Sequence, residues 1–134
     1  MTRSDYHARK KAEDEGRQAE IASLWLYRLM GWRLVAHRLQ TPVCELDLVM
    51  QRGSQLLCIE VKYRSHMAPG DNLETALPNA HQMKRLFQAA EGLFIQKSAQ
   101  SGKFKSVRFD LVLWHGRWRF KRYCRLMMDE GRPI

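Results

Sequence analysis

The sequence has no apolar run long enough to cross a bilayer. Its most apolar stretch, IASLWLYRLMGW, is interrupted by Arg28, whereas a membrane-spanning helix needs about 20 consecutive apolar residues. The first residues, MTRSDYHARKK, contain no apolar segment of the kind found in signal peptides. These absences predict a protein without a signal peptide and without a membrane partner.

The spacings that build disulfide or zinc sites are also missing. The three cysteines, Cys44, Cys58 and Cys124, are an odd number with no C-x-x-C pair, and the five histidines are scattered. Such a pattern favours reduced thiols in a cytoplasmic protein and argues against a structural zinc site. We therefore expect a cytoplasmic location.

Acidic residues are few compared with basic ones. The chain has 14 Asp and Glu against 23 Lys and Arg, which gives a formal net charge of +9 and a pI near 9.9. A positive field of this size favours polyanionic partners. Nucleic acid is the expected partner, and an anionic membrane surface is the weaker alternative.

The 134 residues suggest one domain. Hydrophobic periodicity predicts an α/β fold with a mixed central sheet flanked by helices, in the order α-β-β-β-α-β-β. The predicted divisions are a flexible basic arm over 1–12, a folded domain over 13–125 and a tail over 126–134. The predicted helices are 13–30 and 78–97, and the predicted strands are 32–39, 45–51, 55–63, 106–114 and 117–124.

Each predicted helix has an apolar stripe that is expected to face the sheet. In the first helix the stripe consists of Ile21, Trp25 and Leu29, with Gly31 as the C-terminal stop. In the second helix the stripe is formed by Met83, Leu86, Phe87, Ala90, Leu93 and Phe94.

The stretch LLCIEVKYR reads as a buried strand that nevertheless carries two charges. Glu60 and Lys62 are two residues apart, so on a strand they point to the same face. Charges are costly to bury without a partner. Their position therefore calls for a compensating group nearby.

The neighbouring run ELDLVMQ supplies acidic partners for this strand. A Gly-Ser turn between the two runs predicts a hairpin, in which Asp47 lies opposite Glu60 and Glu45 lies opposite Lys62. The opposite face of this hairpin is then the core. It carries Leu46, Leu48, Met50, Leu57, Ile59 and Val61.

Two interpretations of the charged face remain open at this point. Either the face is solvated, with Lys62 balancing the acids, or Asp47 and Glu60 hold a divalent cation. In the second case the cation would be Mg²⁺ or Mn²⁺, helped by the Val61 carbonyl, and Lys62 would stabilise charge on a phosphodiester undergoing hydrolysis.

These motifs together resemble a known family. CELDLV followed by CIEVKYR, preceded by GRQAEIA and followed by HQMKRLFQAAEGL and VRFDLV, resembles the bacterial YraN family of nuclease-like proteins. The resemblance extends from about Gly16 to Trp114. It implies the PD-(D/E)xK fold of restriction endonucleases, similar to archaeal Holliday-junction resolvases, and a metal-dependent endonuclease activity on DNA, with branched or damaged intermediates among the candidate substrates.

The resemblance also assigns the site residues. Glu20 matches the helix acid, Asp47 the Asp of the G-E-[IL]-D-L motif, and Glu60 and Lys62 the E-V-K motif. The resemblance thus implies that all four are catalytic. From the residues alone, Glu20 reads as a surface helix acid; the resemblance makes it a further metal ligand beside Asp47, Glu60 and the Val61 carbonyl.

Basic residues along the chain are candidates for binding nucleic acid. The resemblance matches Arg64 and Lys84 to basic positions of the family, although Lys84 would equally well lie along the sheet. Arg117, Arg119 and Lys121 alternate with aromatic residues in RWRFKRY, a pattern that suits phosphate and base contacts but also a charge-protected edge strand.

Three further positions qualify the resemblance. Cys44 stands where the family has Gly, which questions the backbone path into the Asp47 strand. Arg108 and Asp110 match the family's R-F-D, and we interpret them as a structural ion pair.

The resolvase-like relatives of this fold also suggest a homodimer. The alternatives to a nuclease are a non-catalytic nucleic-acid-binding module and a basic interaction protein whose carboxylate face is structural.

Overall fold

The computed structural model describes residues 2–65, 77–116, 119–129 and 132–133, with the backbone alone for 126–129 and 132–133. Within these ranges the chain forms two helices and six strands. The elements are α1 (Arg3–Leu29), β1 (Arg33–Gln40), β2 (Glu45–Arg52), β3 (Gln55–Arg64), α2 (Ala80–Ser101), β4 (Ser106–His115), β5 (Arg119–Asp129) and β6 (Arg132–Pro133). The predicted order is confirmed, with β6 as a two-residue addition.

All six strands form one mixed sheet in the order β1-β2-β3-β4-β5-β6. Every neighbouring pair is antiparallel except β3 and β4, which are parallel. A parallel pair needs a long crossover between its strands, and α2 lies within that crossover. The predicted α/β architecture with a mixed sheet and flanking helices is confirmed.

The hairpin between β2 and β3 has the predicted register over most of its length. Arg52 pairs with Gln55 across the two-residue turn, and the pairing runs to Leu48 opposite Ile59. Gly53 supplies a φ of 60° at the turn, a backbone conformation that glycine adopts without steric cost.

Both faces of the sheet are buried, whereas the sequence predicted one core face. The α1-side core contains Ala19, Tyr27, Trp32, Leu48, Met50, Leu57, Ile59, Val112 and Trp114. The α2-side core contains Leu46, Val49, Leu56, Cys58, Leu86, Ala89, Ala90, Leu93, Phe94, Phe104, Val107, Phe109 and Leu111. Strands that are covered on both faces read as nearly continuous apolar runs, which explains the LLCI sequence.

Helix α1 begins ten residues earlier than predicted. The Thr2 hydroxyl accepts a hydrogen bond from the Asp5 backbone N–H, and the Asp5 carboxylate accepts one from the Thr2 N–H. This reciprocal capping box stabilises the helix start. Residues 3–12, which were predicted to form a loose arm, are therefore helical.

The face that α1 turns toward the sheet also differs from the prediction. Its buried residues are Ala19, Ser23 and Tyr27. The predicted core residues Ile21, Trp25 and Leu29 are instead 56%, 57% and 86% exposed. We call these three residues the apolar stripe of α1.

Polar contacts fix α1 on the sheet. The Tyr27 hydroxyl donates to Asp110 Oδ2 at 2.5 Å, and Trp114 Nε1 donates to Ser23 Oγ at 2.8 Å. Arg108 Nε and Nη2 donate to the two oxygens of Asp110 at 2.8 and 2.9 Å. Asp110 has no solvent exposure, which agrees with the interpretation of Arg108 and Asp110 as a structural ion pair.

Helix α2 largely follows its prediction. Asn79 caps its start, reciprocally with Gln82, and Gly102 ends it in the left-handed conformation. Pro78 therefore precedes the cap instead of occupying the first helical position. The predicted stripe contacts the α2-side core, with Leu86, Ala90, Leu93 and Phe94 buried and the other two half-buried.

The last strands extend further than predicted. β5 runs to Asp129, into the segment predicted as a tail. Arg117 of the predicted last strand lies outside the described residues. Neither described helix is long and apolar enough to cross a membrane.

Candidate functional site

The side chains of β2 alternate between the two faces of the sheet, and this alternation is interrupted at Asp47. Leu46 packs in the α2-side core, whereas Leu48 packs in the α1-side core, although residues two apart on a regular strand share a face. The register between β1 and β2 places Asp47 opposite Arg38, whose φ of 51° is left-handed. Such a conformation is strained for a residue other than glycine and marks a local distortion of the strand pair.

The distortion changes the contact between Asp47 and β3. The ladder between the two described strands ends at Leu48, so the predicted ladder pairs of Asp47 with Glu60 and of Glu45 with Lys62 are absent from it. Instead, Asp47 Oδ2 accepts a hydrogen bond from the Val61 backbone N–H at 2.8 Å. A side-chain acceptor thus takes the place of a strand carbonyl at this point.

Asp47, Glu60 and Lys62 nevertheless form one cluster. Asp47 and Glu60 are close enough that, after burial, the charge of Asp47 raises the pKa of Glu60, and Lys62 Nζ lies 3.3 Å from Glu60 Oε1. The Glu60 side chain is only 11% exposed and the Lys62 side chain 34% exposed. The structure therefore brings together three of the four predicted catalytic residues in a largely desolvated place.

Burial raises the pKa of both carboxyl groups. Desolvation, followed by the charge of Asp47, raises the pKa of Glu60 to about 8. Desolvation also raises the pKa of Asp47, and the hydrogen bond from Val61 opposes this shift. Two close carboxyl groups in a dry site hold a proton between them when no cation is bound.

A small cleft of about 150 Å³ opens beside this cluster. Its walls come from the start of β2, the end of β3 and the first turns of α2. The lining residues are Cys44, Glu45, Glu60, Lys62, Pro78, Gln82, Arg85 and Leu86. The cleft therefore gives a solvent molecule or a phosphate oxygen a route to Glu60 and Lys62.

Glu20 has partners of its own. Its Oε2 lies 3.1 Å from His37 Nε2 and accepts hydrogen bonds from Arg38 Nε and Nη2 at 3.2 and 3.1 Å. It also acts electrostatically on Asp47, raising the pKa of that carboxyl. Glu20 is thus near the cluster, and its observed contacts are with His37 and the left-handed Arg38.

The carboxylate cluster offers a limited set of metal donors. Among the described residues no group of three or more His, Cys, Asp or Glu side chains could hold an ion. Mg²⁺ commonly uses only one or two carboxylates and keeps several waters. The two carboxylates of Asp47 and Glu60 fit that requirement, with Val61 as a possible carbonyl donor.

Three of the predicted nucleic-acid-binding residues, Arg64, Arg119 and Lys121, are aligned across the sheet near the end of β3. Arg64, His115 and Arg119 are successive partners across β3, β4 and β5. Two residues nearer to Glu60 along β3, Leu113 of β4 pairs with Lys62 on one side and with Lys121 of β5 on the other. We call the five charged or titratable residues Lys62, Arg64, His115, Arg119 and Lys121 the basic row.

Lys84 lies apart from this row, exposed on α2. The sequence interpretation missed Arg85, which lines the cleft and donates from Nη2 to the Val43 carbonyl at 2.6 Å. It also missed His115 as a member of the basic row. Gln82 and Arg85 are three residues apart and therefore share one helix face, and this spacing was the sequence signal that could have identified Arg85.

The family model described as uncharacterised protein family UPF0102 matches residues 19–113, more than half of the chain. The chain belongs to the UPF0102 family. The matched UPF0102 segment includes Glu20, Asp47, Glu60 and Lys62, and the resemblance to the YraN family is confirmed at the level of the family.

Several UPF0102 proteins are similar over most of their length. That of Sphingopyxis alaskensis is 44% identical over 105 residues, which cover 78% of this chain and 84% of the relative. That of Maricaulis maris is 40% identical over 131 residues, with 95% and 97% covered. That of Parvibaculum lavamentivorans is 39% identical over 124 residues, with 88% and 81% covered.

Proposed function

We propose that the chain is a divalent-cation-dependent nuclease that hydrolyses phosphodiester bonds in DNA. The observation that carries this proposal is the convergence of the half-buried Asp47 with the buried Glu60, whose Oε1 lies 3.3 Å from the Lys62 ammonium. Paired carboxylates are expensive to bury. A bound cation offsets that cost and gives the arrangement a chemical use.

In this proposal Asp47 and Glu60 hold Mg²⁺ or Mn²⁺ with the help of the Val61 carbonyl. When bound, such an ion polarises the phosphate and lowers the pKa of a coordinated water. Lys62 neutralises charge that develops on the phosphate oxygens, because its ammonium is partly desolvated and so acts strongly. Glu20 keeps Arg38 in place and adds negative potential at Asp47.

The basic row gives the substrate a path to the cluster. Its residues lie on three adjacent strands that are about 4.8 Å apart, so the row spans roughly 10 Å next to Lys62. Cationic side chains at this spacing neutralise successive phosphates and make binding strongly salt-dependent. Lys84 on α2 and Arg117, outside the described residues, are further candidates for phosphate contacts.

A second candidate function is a nucleic-acid-binding module that does not cut. One observation favours it: the Oε2 atom of Glu20 is already bonded to His37 and Arg38, which leaves two carboxylates for a metal among the described residues. In that case the basic row binds DNA and the carboxyl pair is structural.

Cleavage and binding assays separate these functions. The purified chain is incubated with labelled single-stranded, duplex and branched DNA, with and without Mg²⁺ or Mn²⁺. Asp47→Asn and Lys62→Met should each reduce metal-dependent cleavage by about 100-fold or more. The matched controls Glu91→Gln and Lys103→Met, which change exposed residues that do not line the cleft, should cleave normally.

The results discriminate clearly. Salt-sensitive DNA binding without cleavage under any of these conditions would refute the nuclease and support the binding module. Cleavage that persists in both Asp47→Asn and Lys62→Met would show that the activity does not come from this cluster. Absence of salt-sensitive binding would refute both functions.

A further inference from the structure

A cavity of about 260 Å³ lies between the start of α2 and the strands β4 and β5. Its walls include Met83 and Phe87 of α2, Phe109 and Leu111 of β4, and Tyr123 and Arg125 of β5. Three of these side chains are aromatic, and the Phe87 and Phe109 rings meet edge to face with their centres 5.2 Å apart. The described lining contains no acidic residue. Such apolar and aromatic walls suit a flat ring.

The hydroxyl group of Tyr123 is buried without a partner. Among the described residues, no donor or acceptor forms a hydrogen bond with it. Buried polar groups are nearly always hydrogen-bonded, because an unpaired one has lost its water without compensation. A phenol can both donate and accept a hydrogen bond. Since Tyr123 lines the cavity, a ligand with a polar edge that enters the cavity is the candidate partner for this hydroxyl.

The cavity adjoins the carboxylate cluster. Glu60, Leu111 and Tyr123 are successive partners across β3, β4 and β5 and therefore project to the same face. Two strand spacings put Tyr123 about 10 Å from Glu60. Pro78 lines both this cavity and the cleft beside Glu60. A stacked DNA strand advances about 3.4 Å per nucleotide, so one strand can reach both places within about three nucleotides.

Basic side chains flank the cavity. The Arg125 guanidinium lies 4.7 Å from the centre of the Phe87 ring. Lys121 Nζ, which belongs to the basic row, lies 5.1 Å from the centre of the Tyr123 ring. An uncharged apolar ligand makes no use of these cations. A nucleotide uses both features, because its phosphates pair with the cations and its base stacks on the aromatic walls.

We propose that this cavity receives one unpaired nucleobase of the DNA strand that is cut at the carboxylate cluster, an inference that rests on the proposed nuclease function. The base stacks on the aromatic walls and forms a hydrogen bond with the Tyr123 hydroxyl, while Lys121 and Arg125 contact the neighbouring phosphates. A base inside a duplex enters such a cavity only if it is extruded from the stack. The substrate is therefore DNA with unpaired nucleotides next to the cut, such as a single strand or an overhang.

Fluorescence anisotropy in the presence of a chelator measures the base contact without cleavage. The two ligands are labelled oligothymidylate and a strand of equal length from which every base is missing. Both carry the same phosphates, so their affinities differ only through contacts with the bases. The chain should bind oligothymidylate about 10-fold more tightly or better. Equal affinities would overturn the proposal.

Two substitutions assign the base contact to this cavity. Met83→Trp fills the cavity and should reduce the preference for oligothymidylate to about 2-fold or less. Ile95→Trp, at a 59% exposed position of α2, is its matched control and should keep the preference. Circular dichroism melts establish that both variants fold. A preference that survives in a folded Met83→Trp variant would overturn the proposal.

Tyr123→Phe is the second substitution and removes only the unpaired hydroxyl. It should reduce the preference about 3-fold or more without lowering the melting temperature, because no hydrogen bond within the described chain is lost. Tyr6→Phe, at a 53% exposed position of α1, should change neither quantity. An unchanged preference in Tyr123→Phe would overturn the hydrogen bond that we assign to the base.

Arg125→Gln tests the phosphate contacts separately. It should weaken the binding of both strands about equally and reduce the salt dependence, because a phosphate contact is independent of the base. A loss confined to oligothymidylate would overturn this role of Arg125.

A cleavage assay with Mg²⁺ or Mn²⁺ separates the cavity from the nuclease. The chain should cut single-stranded DNA about 10-fold faster or better than a fully paired duplex, and Met83→Trp should lose this difference. Cleavage combined with equal affinity for the two strands would refute the base cavity alone. A base preference in a chain that never cuts would refute the nuclease and support the cavity as the base site of a binding module.

Discussion

Replacing Glu60 by glutamine should remove most of the pH dependence of folding stability in the metal-free protein. The Glu60 carboxyl is buried beside Asp47, and its pKa rises from an ordinary value near 4.5 to about 8. Between these values the folded protein keeps a proton that the unfolded chain has lost. Stability is therefore fully present below about pH 4.5 and is lost as the pH rises toward 8.

The expected loss is large for one residue. Each pKa unit of difference between the two states is worth about 1.4 kcal/mol, so the wild type should lose on the order of 3–5 kcal/mol between about pH 5 and pH 8.5. Glutamine has nearly the same shape and carries no charge. Glu60→Gln should therefore be the more stable protein at the upper pH in the presence of a chelator.

Urea unfolding at a series of pH values measures this effect, with the unfolding free energy of the variant subtracted from that of the wild type to cancel the contributions of the histidines. Glu91→Gln, an exposed position on α2, serves as the control and should follow the wild type. Equal pH profiles for wild type and Glu60→Gln would refute the inference that the carboxyl pair holds a proton.

The buried network and the hairpin turn give two further tests by urea unfolding. Tyr27→Phe should lower the free energy of unfolding by about 1–2 kcal/mol, because it removes one hydrogen bond to Asp110. Asp110→Ala should lower it by about 3 kcal/mol or more, because Arg108 loses its partner. Equal losses in the two variants would contradict this ranking. Gly53→Ala should cost about 1–2 kcal/mol, because its φ of 60° is left-handed. The control Gly92→Ala, with open space around it on α2, should instead stabilise by about 0.5–1 kcal/mol.

Signals between residues that are close in sequence were enough to predict the elements that such residues determine. The hairpin register followed from a Gly-Ser turn between two apolar runs, and it is confirmed from Arg52–Gln55 to Leu48–Ile59. The early start of α1 was also readable, because Thr2 and Asp5 have the spacing of a capping box. The prediction overlooked this signal and relied on the polar composition of residues 3–12.

The buried face of α1 could not be read in this way. Apolar residues surround its C-terminal half, so periodicity offers more than one candidate face. The choice depends on contacts with distant residues: Tyr27 meets Asp110, and Ser23 meets Trp114. Both partners belong to β4, more than 80 positions later in the chain.

The site was predicted in composition but not in geometry. Two-residue periodicity assumes an unbroken strand, and β2 is broken at Asp47, opposite the left-handed Arg38. The identity of the site residues came from motif and family. The contacts of Glu20 with Arg38 and His37 had no sequence signal, because a helix acid looks the same whether it binds an ion or an arginine.

The hydrogen bond from Val61 to Asp47 makes one backbone amide a built-in reporter of the site. An amide held by a strand carbonyl senses only whether the sheet is closed, but the Val61 N–H is held by a titratable carboxylate. Its chemical shift and its exchange with deuterium should follow the charge on Asp47. The protonation of Asp47, and the cation binding that we propose for this cluster, can therefore be followed in solution by one NMR resonance, without a substrate and without a change to the sequence.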